Sequence, residues 1–561
     1  MKRRQFILWK VAAVTAMVLA VVAGWLISNS QAVKRLDLQI LGNTVEGQVV
    51  SEFGPVENAR VRIAGEEGHT LTDRQGHFSL QSSHLPGRRI IIAAGKEGWF
   101  NNGLIVAHGG VMPPIYLNSV PRADRPEYRF ISPVVCSRCH VKVTQYYDKS
   151  KMAHTTSNPK VLQMYYGTDT ANRPGRGPGY KLDNPGSDGD CIACHAPSIA
   201  ASNPGSKDLQ DALFSARSEW DGISCDYCHK VQRVLKDDSK PSGFKATLNR
   251  QSARSGNSIL VYGPYDDVTA PPMAASYNSL FDEGRYCSQC HSHLTSPADG
   301  KTWKWQNVYT SDEWRGFGLS GSGKLPVQTT YQEWKGWQDS LAPDDPNKGK
   351  KCQDCHMSWR KEMLPYDNFV IDGHARDMWG TYRDPKDIRP HHFDGGTATQ
   401  LKTALSIEIE GEVEDNVLTV SVYITNTNGG HWVPTGETMR SILLRLDVRD
   451  ESGKPLKMIE GGRLPEWTGT DDAGKAGAAF ARVLRDADGH LNVPFWRAVA
   501  VASDTRIRPK STVTLTYRFK VNNPDDEPTA TAELVYRPAH KALTASKKWD
   551  APDIPITSVV W

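Results

Sequence analysis

The sequence predicts a multidomain chain: a loop-rich, α-helical middle segment flanked by two all-β, sandwich-like domains, behind an N-terminal hydrophobic export or anchor segment. Three observations carry that expectation. At 561 residues the chain is too long for one hydrophobic core. Apolar and polar residues alternate near both ends, the period of a half-buried strand. All ten cysteines fall between Cys136 and Cys355, in a stretch without that alternation. With 23% charged residues and a mean hydropathy of −0.50, the composition excludes a disordered chain and a multi-span membrane protein. The net charge of +4 carries no basic stripe beyond the N-terminus, which argues against nucleic acid as partner.

Residues 1–32 read as a leader. Lys2, Arg3 and Arg4 precede Phe6 to Trp9 and Lys10, and an uncharged run follows from Val11 to Ile27. That run is short for a membrane span of about 20 residues. Ser30-Gln31-Ala32 would serve as a small-residue cleavage site, so a retained anchor and a cleaved signal both stand. Arg3-Arg4-Gln5-Phe6-Ile7 is similar to a twin-arginine signal, but the positive-inside reading is preferred. Either way the bulk of the chain is expected outside the bacterial cytoplasm: in the periplasm, anchored in the inner membrane or released, or at the cell surface.

Residues 40–118 form the first β domain. Val45, Gly47 and Val49, then Ala59, Val61 and Ile63 alternating with Arg60 and Arg62, then His77 to Leu80 and Ile90 to Ile92 read as short strands between Gly and Pro turns. The pattern suggests a β-sandwich. Val45 to Val49, Pro55 to Val61 and Thr72 to Phe78 resemble the carboxypeptidase regulatory-like (transthyretin-like) domain, which implies an accessory module without chemistry of its own.

The middle segment, residues 121–397, carries the chemistry. Its cysteines are used up in five CxxCH motifs: Cys136-Ser137-Arg138-Cys139-His140, Cys191-Ile192-Ala193-Cys194-His195, Cys225-Asp226-Tyr227-Cys228-His229, Cys287-Ser288-Gln289-Cys290-His291 and Cys352-Gln353-Asp354-Cys355-His356. Chance supplies on the order of 0.01 such motifs at these frequencies. Two thiols three positions apart can each add to one vinyl group of a haem, and the next imidazole then reaches the iron. Disulfides do not explain a histidine after every pair, and zinc would need four ligands from paired units. The motifs therefore predict five covalently attached haem c groups, with His140, His195, His229, His291 and His356 as proximal iron ligands. With so few residues per haem the cofactors must share one core. Ala171 to Asp190 and Lys240 to Pro272 read as extended loops, with short helices after the motifs, as at Val141 to Asp148.

A sixth ligand decides between closed and open irons. Two axial histidines make a haem that moves electrons, whereas an open position can bind a substrate. His154, His293, His374, His391, His392 and His431 are the distal candidates, lying in this segment or just beyond it. His154 and His293 follow their own motifs too closely to turn back, so each would serve a neighbouring haem. One of His391 and His392 is expected to ligate. Met273 is a weak thioether candidate, and Met357 another, although methionine is more often a gap-filler. Seven tryptophans between Trp303 and Trp379 are expected against haem faces.

Residues 398–561 return to alternation at Leu405 to Ile409, Val417 to Ile424, Ile442 to Val448, Val513 to Val521 and Ala532 to Tyr536, a second β-sandwich. His431 lies here, in Asn428-Gly429-Gly430-His431-Trp432-Val433-Pro434-Thr435-Gly436; as a ligand it would dock the sandwich on the haem core, and otherwise it marks a turn.

Gly222 to His229, Ser150 to His154, Cys352 to Met357 and His391 to Gly396 resemble the multihaem c-type cytochromes related to the tetrahaem electron carrier of ammonia oxidisers. The likeness covers about half the chain. It implies distal ligation by His154 and by His391 or His392, and His431 to Gly436 is similar to a motif of C-terminal β domains in such cytochromes. The chain departs from that pattern before Cys287, where Met273, Ser276 and Tyr277 stand in place of an expected histidine. Absence of CxxCK argues against a lysine-ligated nitrite-reductase site. An electron carrier working with quinol-oxidising or periplasmic redox partners is the first expectation. The alternatives are an oxidoreductase acting on a small nitrogen or sulfur compound at one open haem, helped by groups such as His293 or Arg285, and a subunit of an extracellular cytochrome assembly.

Overall fold

The computed structural model describes residues 44–82, 89–107, 112–205, 208–213, 222–251, 259–269, 273–319, 323–359, 383, 388–523 and 527–561. The leader expectations for residues 1–32, with His374 and Trp379, lie outside the described residues. Among those described, no helix is long and apolar enough to cross a membrane. The chain divides into two compact units. The first comprises Met1–Arg122, Gln251–Ser279 and Ala375–Asp384; the second comprises Ala123–Arg250, Leu280–His374 and Pro385–Trp561.

The first unit is built from β1 (Thr44–Ser51), β2 (Gly54–Pro55), β3 (Arg60–Ile63), β4 (Thr70–Leu71), β5 (His77–Gln81), β6 (Arg89–Gly95), β7 (Asn102–Ala107) and β8 (Ile115–Leu117). One sheet runs β2-β1-β5 with β8 parallel to β1, and the other runs β4-β3-β6-β7. Val45, Val49, Phe78, Ile115 and Leu117 from the first meet Val61, Ile63, Ile90 and Ile92 from the second in one core. That is the sandwich the alternation predicts, and it is consistent with the regulatory-like module. Gly47 has a steric reason: a Cβ there would stand 2.7 Å from the Phe78 ring.

The region read as an extended loop over Lys240 to Pro272 instead contains strands. β9 (Val231–Lys236) and β10 (Phe244–Leu248) form a hairpin in the second unit, and β11 (Ile259–Gly263) pairs in parallel with β12 (Met273–Tyr277) in the first. Strands of five residues among polar turns leave too short an alternation to read. The loop before β12 delivers Asp266, almost wholly buried, between Arg60 (2.6 Å) and Arg62 (2.6 Å).

In the second unit, the middle segment is a succession of short helices. Val141–Asp148 is helical as expected, and Pro159–Tyr166 is capped by the Asn158 side chain and closed by Gly167 at φ 72°. Apolar clusters here are small: Tyr165, Ile192, Ala196, Ile199, Leu209 and Ala212 form one, and Phe130, Tyr227, Val231, Val234 and Leu280 another. This is the modest interior expected of a chain folded around cofactors.

After β13 (His293–Thr295) and β14 (Leu325–Gln328), the C-terminal region contributes β15 (Leu405–Glu414), β16 (Val417–Asn426), β17 (Ser441–Arg449), β18 (Lys457–Glu460), β19 (Gly477–Phe480), β20 (Arg482–Arg485), β21 (Ala500–Asp504), β22 (Thr512–Lys520), β23 (Thr529–Arg537) and β24 (Ile554–Val560). Two antiparallel sheets, β15-β16-β22-β18 and β19-β17-β23-β24, face each other across a core that takes residues from both. On β16 Leu418, Val420, Val422 and Ile424 all point inward with no exposed surface. Each such side chain stabilises by about 1.5–3 kcal/mol. Trp303, Trp305 and Trp314 pack with Tyr309, Phe317 and Trp432 and rest on Leu484, Ala498 and Val501. Their large rings serve as the apolar join between the middle segment and the second sandwich.

Candidate functional site

All five CxxCH motifs adopt the same local turn. Cys225–Cys228 and Cys352–His356 are short α-helices, Ile192–His195 is a helix that begins at the residue after Cys191, Pro133–Cys136 leads into the first motif, and the fourth is a 3₁₀ turn over Gly284–Gln289. The histidine N–H donates to the carbonyl of its motif's first cysteine at 2.9 Å for His140, 3.0 Å for His195, 3.0 Å for His229 and 2.9 Å for His291. A helical turn places residues three and four apart on one face, so each motif presents two thiols and an imidazole together. Ser224 starts the third motif's helix by accepting from the Tyr227 N–H. Asp226 of the same motif accepts from Tyr128, from the Ile131 N–H and from the buried Lys230.

The motifs also meet one another. Thiols of different motifs lie near enough to influence one another's ionisation: Cys136 with Cys225, Cys194 with Cys290, and Cys287 with Cys352. The Tyr227 hydroxyl donates to Gln289 Oε1 at 3.2 Å, joining the third motif to the fourth. No disulfide joins any of the ten cysteines. Burial pushes the Cys191 thiol up to about 12 and Cys228 to about 11, so they are held uncharged.

Two motif histidines face a second imidazole. The rings of His356 and His431 are parallel within 7° at 6.0 Å between centres, and those of His229 and His391 stand 6.4 Å apart, tilted by 37°. A metal–imidazole bond of about 2 Å, with about 1.2 Å from nitrogen to ring centre, puts two imidazoles on opposite sides of one metal about 6.4 Å apart. The tautomers agree with ligation. Nδ1 of His391 donates to the Arg389 carbonyl at 2.9 Å, Nδ1 of His431 to the Trp432 carbonyl at 3.0 Å, and Nδ1 of His356 to the Asp394 carbonyl. Each leaves the Nε2 lone pair for a metal. Burial pushes His391 down to about 3, with repulsion from His229 added, and His291 down to about 4, with repulsion from His356. A neutral imidazole is the ligating form.

The remaining candidates sit differently. His392 is buried with both nitrogens engaged: Nε2 donates to the Ser358 carbonyl at 3.0 Å and Nδ1 accepts from the Asp394 N–H at 3.2 Å. Of the His391–His392 pair, His391 is thus the one facing a motif histidine. His154 is exposed, with Nε2 2.6 Å from the Asp148 carbonyl. His293 lies edge-on to Phe495, with Nδ1 3.8 Å from Glu437, in the electrostatic neighbourhood of His195. Met273 opens β12 opposite Ile259, and Met357 closes the fifth motif's helix. Arg285 pairs with Glu283 at 2.9 Å. Sequence reasoning missed Gln328, whose amide lies 3.4 Å from Nδ1 of His291, and the buried Glu333 beside the His431 loop. Neither carries a local signal, because each acts across the fold.

The donor sets fit haem c: each turn brings two cysteine sulfurs and one imidazole together. The family described as cytochrome c554 and c-prime matches residues 135–230, the stretch holding the first three motifs. Among solved structures, a penta-heme cytochrome c552 from Thermochromatium tepidum is similar at 18% identity and a TM-score of 0.50, over 77% of this chain and 98% of that one. The Fcho1 mu homology domain of Danio rerio with bound Eps15 peptide reaches a TM-score of 0.13 at 11% identity, over 24% of this chain and 39% of that one. The putative ApaA protein from Bordetella pertussis reaches 0.12 at 12%, over 28% and 89%. Neither of those two bears on the fold. No curated protein matches the chain. The family match and the shared fold support a multihaem c-type cytochrome with covalently bound haem c and a general role in electron transfer.

Proposed function

We propose that this chain is an exported pentahaem c-type cytochrome that passes electrons between redox partners through closely spaced, mostly bis-histidine haems. The observation that carries the reading is the pair of facing imidazoles, His229 with His391 and His356 with His431, each spaced for one iron between them. The cysteine pairs of all five motifs would hold the haems, with the motif histidines as proximal ligands. The proximity of thiols from different motifs supports an order in which the first haem neighbours the third, and the fourth neighbours both the second and the fifth. The fourth haem is then the junction of the path. The basic, apolar N-terminus supports placement in the periplasm with an inner-membrane anchor, facing quinol-oxidising or soluble electron carriers. The two β domains would position those partners.

A second reading, an oxidoreductase acting on a small nitrogen or sulfur compound, has one observation in its favour. The ionisable pair of His293 and Glu437 stands near His195, and Glu437 is held below its usual range because His293 and Arg440 outweigh the effect of burial. Such a pair could donate protons beside an open iron.

Intact mass and haem quantification of the purified protein test the cofactor count: five haems are expected, and fewer would end the pentahaem reading. Electron paramagnetic resonance with spin counting, before and after addition of nitric oxide, hydroxylamine and sulfite, separates the two functions. Five low-spin irons indifferent to all three support the carrier. One stoichiometric high-spin iron that responds supports the oxidoreductase.

A further inference from the structure

We infer that Glu333 is a positioning residue: its buried carboxylate fixes the loop that carries His431 and so sets the ring orientation of that histidine opposite His356. The inference rests on the reading of His431 as an axial ligand and goes beyond it.

Glu333 lies in the first turn of the helix Thr330–Ser340 and has no exposed side-chain surface. A buried carboxylate is costly unless each oxygen is matched. Its Oε1 accepts from Arg506 at 2.7 Å and from the Thr329 hydroxyl at 2.6 Å, with Arg482 at 3.7 Å. Those partners offset the charge. The other oxygen, Oε2, is spent on the loop: it accepts from the Trp432 N–H at 3.2 Å and from the Thr435 hydroxyl at 3.1 Å. Trp432 is also the residue whose carbonyl holds Nδ1 of His431. One residue, Trp432, thus separates the carboxylate from the atom that fixes the imidazole.

The loop is gripped from its other flank as well. Asn426 donates to the His431 carbonyl at 3.0 Å and to the Ile507 carbonyl at 3.1 Å, and accepts from the Gly429 N–H at 2.9 Å. Arg506 and Arg508 lie over the Trp432 ring at 5.0 and 5.2 Å. The same short segment reaches the fourth motif: the Tyr331 N–H donates to the His291 carbonyl at 3.2 Å, and Gln332 donates to the Ser292 hydroxyl at 2.6 Å. Residues 328–333 therefore reference His431 to the backbone of the neighbouring motif.

The 7° angle between the His356 and His431 rings gives the test its readout. In bis-imidazole haems, near-parallel rings give a rhombic low-spin signal, and rings turned toward perpendicular give a more axial one with a larger maximum g. The oxidised full-length holoprotein would be compared with His431→Ala, Glu333→Ala, Glu333→Gln and Thr435→Val by electron paramagnetic resonance with spin counting. His431→Ala is expected to convert one low-spin iron to high spin. Glu333→Ala is expected to move that same signal toward the axial type or part-way to high spin, with the other four unchanged. Glu333→Gln, which keeps one accepting oxygen, is expected to move it less. Thr435→Val removes the bond to Glu333 and the hydroxyl contact with Thr330, but no charge; it carries the test if Glu333→Ala does not accumulate, and is expected to shift the same signal. An unchanged signal in the Glu333 variants or, where those do not accumulate, in Thr435→Val, with His431→Ala losing its low-spin iron, overturns the positioning role. A His431→Ala spectrum identical to wild type overturns the axial-ligand reading itself, and the inference falls with it.

Discussion

Asp504→Asn tests the electrostatics that join the middle segment to the second sandwich. Two acids, Asp504 and Glu333, and two guanidinium groups, Arg482 and Arg506, are buried together, so their charges cancel. Asp504 accepts from Arg506 Nε at 2.7 Å, from Arg482 Nε at 2.9 Å and from the Tyr309 hydroxyl at 2.7 Å. An amide of the same shape leaves one buried positive charge uncompensated, which costs about 3–5 kcal/mol. For a cooperative unit of about 150–250 residues, each kcal/mol moves the midpoint by about 2–4 °C, so the expected loss is about 6–20 °C. The pH dependence supplies a second check. Burial alone would raise Asp504, but Arg506 and Arg482 overcome it and hold the carboxyl well below its usual range. A depressed acid contributes stability that is complete above its unfolded value of about 4 and is lost as pH falls from there toward the folded value. Thermal melts of the holoprotein and the variant, followed by circular dichroism, should therefore show a gap that is full at neutral pH and narrows in acid. A midpoint unchanged at neutral pH, or a gap that persists undiminished through the acid range, would refute the reasoning.

Three further outcomes are expected. His391→Ala should turn one low-spin iron high-spin, whereas His392→Asn should leave every iron signal in place and cost only stability, since His392 bonds through both nitrogens to backbone groups; the reverse pattern would exchange their roles. Burial holds His540 neutral, with its pKa pushed down to about 4. A depressed histidine leaves stability intact above its unfolded value of about 6.5 and lowers it as pH falls from there to about 4, by up to about 3 kcal/mol. His540→Asn, which keeps an acceptor for the Leu543 N–H at the helix start, should flatten that part of the stability profile. Leu444→Ala, in the fully buried centre of β17, should cost about 2–5 kcal/mol in a denaturant titration of the whole chain.

What the sequence made legible follows from range. Each CxxCH turn is closed by a hydrogen bond within five residues, and strands such as β3, β8 and β16 show their buried face as a period of two. Both signals are local. The partners of the motif histidines are not: His391 reaches His229, and His431 reaches His356, from other parts of the chain, so sequence reading offered several histidines and could not rank His391 over His392. Glu333, Asp504, Arg482 and Arg506 matter because helix, loop and strand meet there, and no spacing announces that meeting. The tryptophans were visible as residues, but their use as a stacked join depended on Leu484, Ala498 and Val501 arriving from the second sandwich.

The proximity of thiols from different motifs has a consequence for the order in which such a chain would mature. In an oxidising milieu, Cys136 beside Cys225, Cys194 beside Cys290 and Cys287 beside Cys352 are poised to crosslink, and each crosslink would consume attachment points belonging to two different haems. A polypeptide that collapsed to this arrangement while still bare would lock itself out of maturation. A chain that takes up haem at these cysteines would therefore be expected to form its thioethers while still extended, and to compact only afterwards.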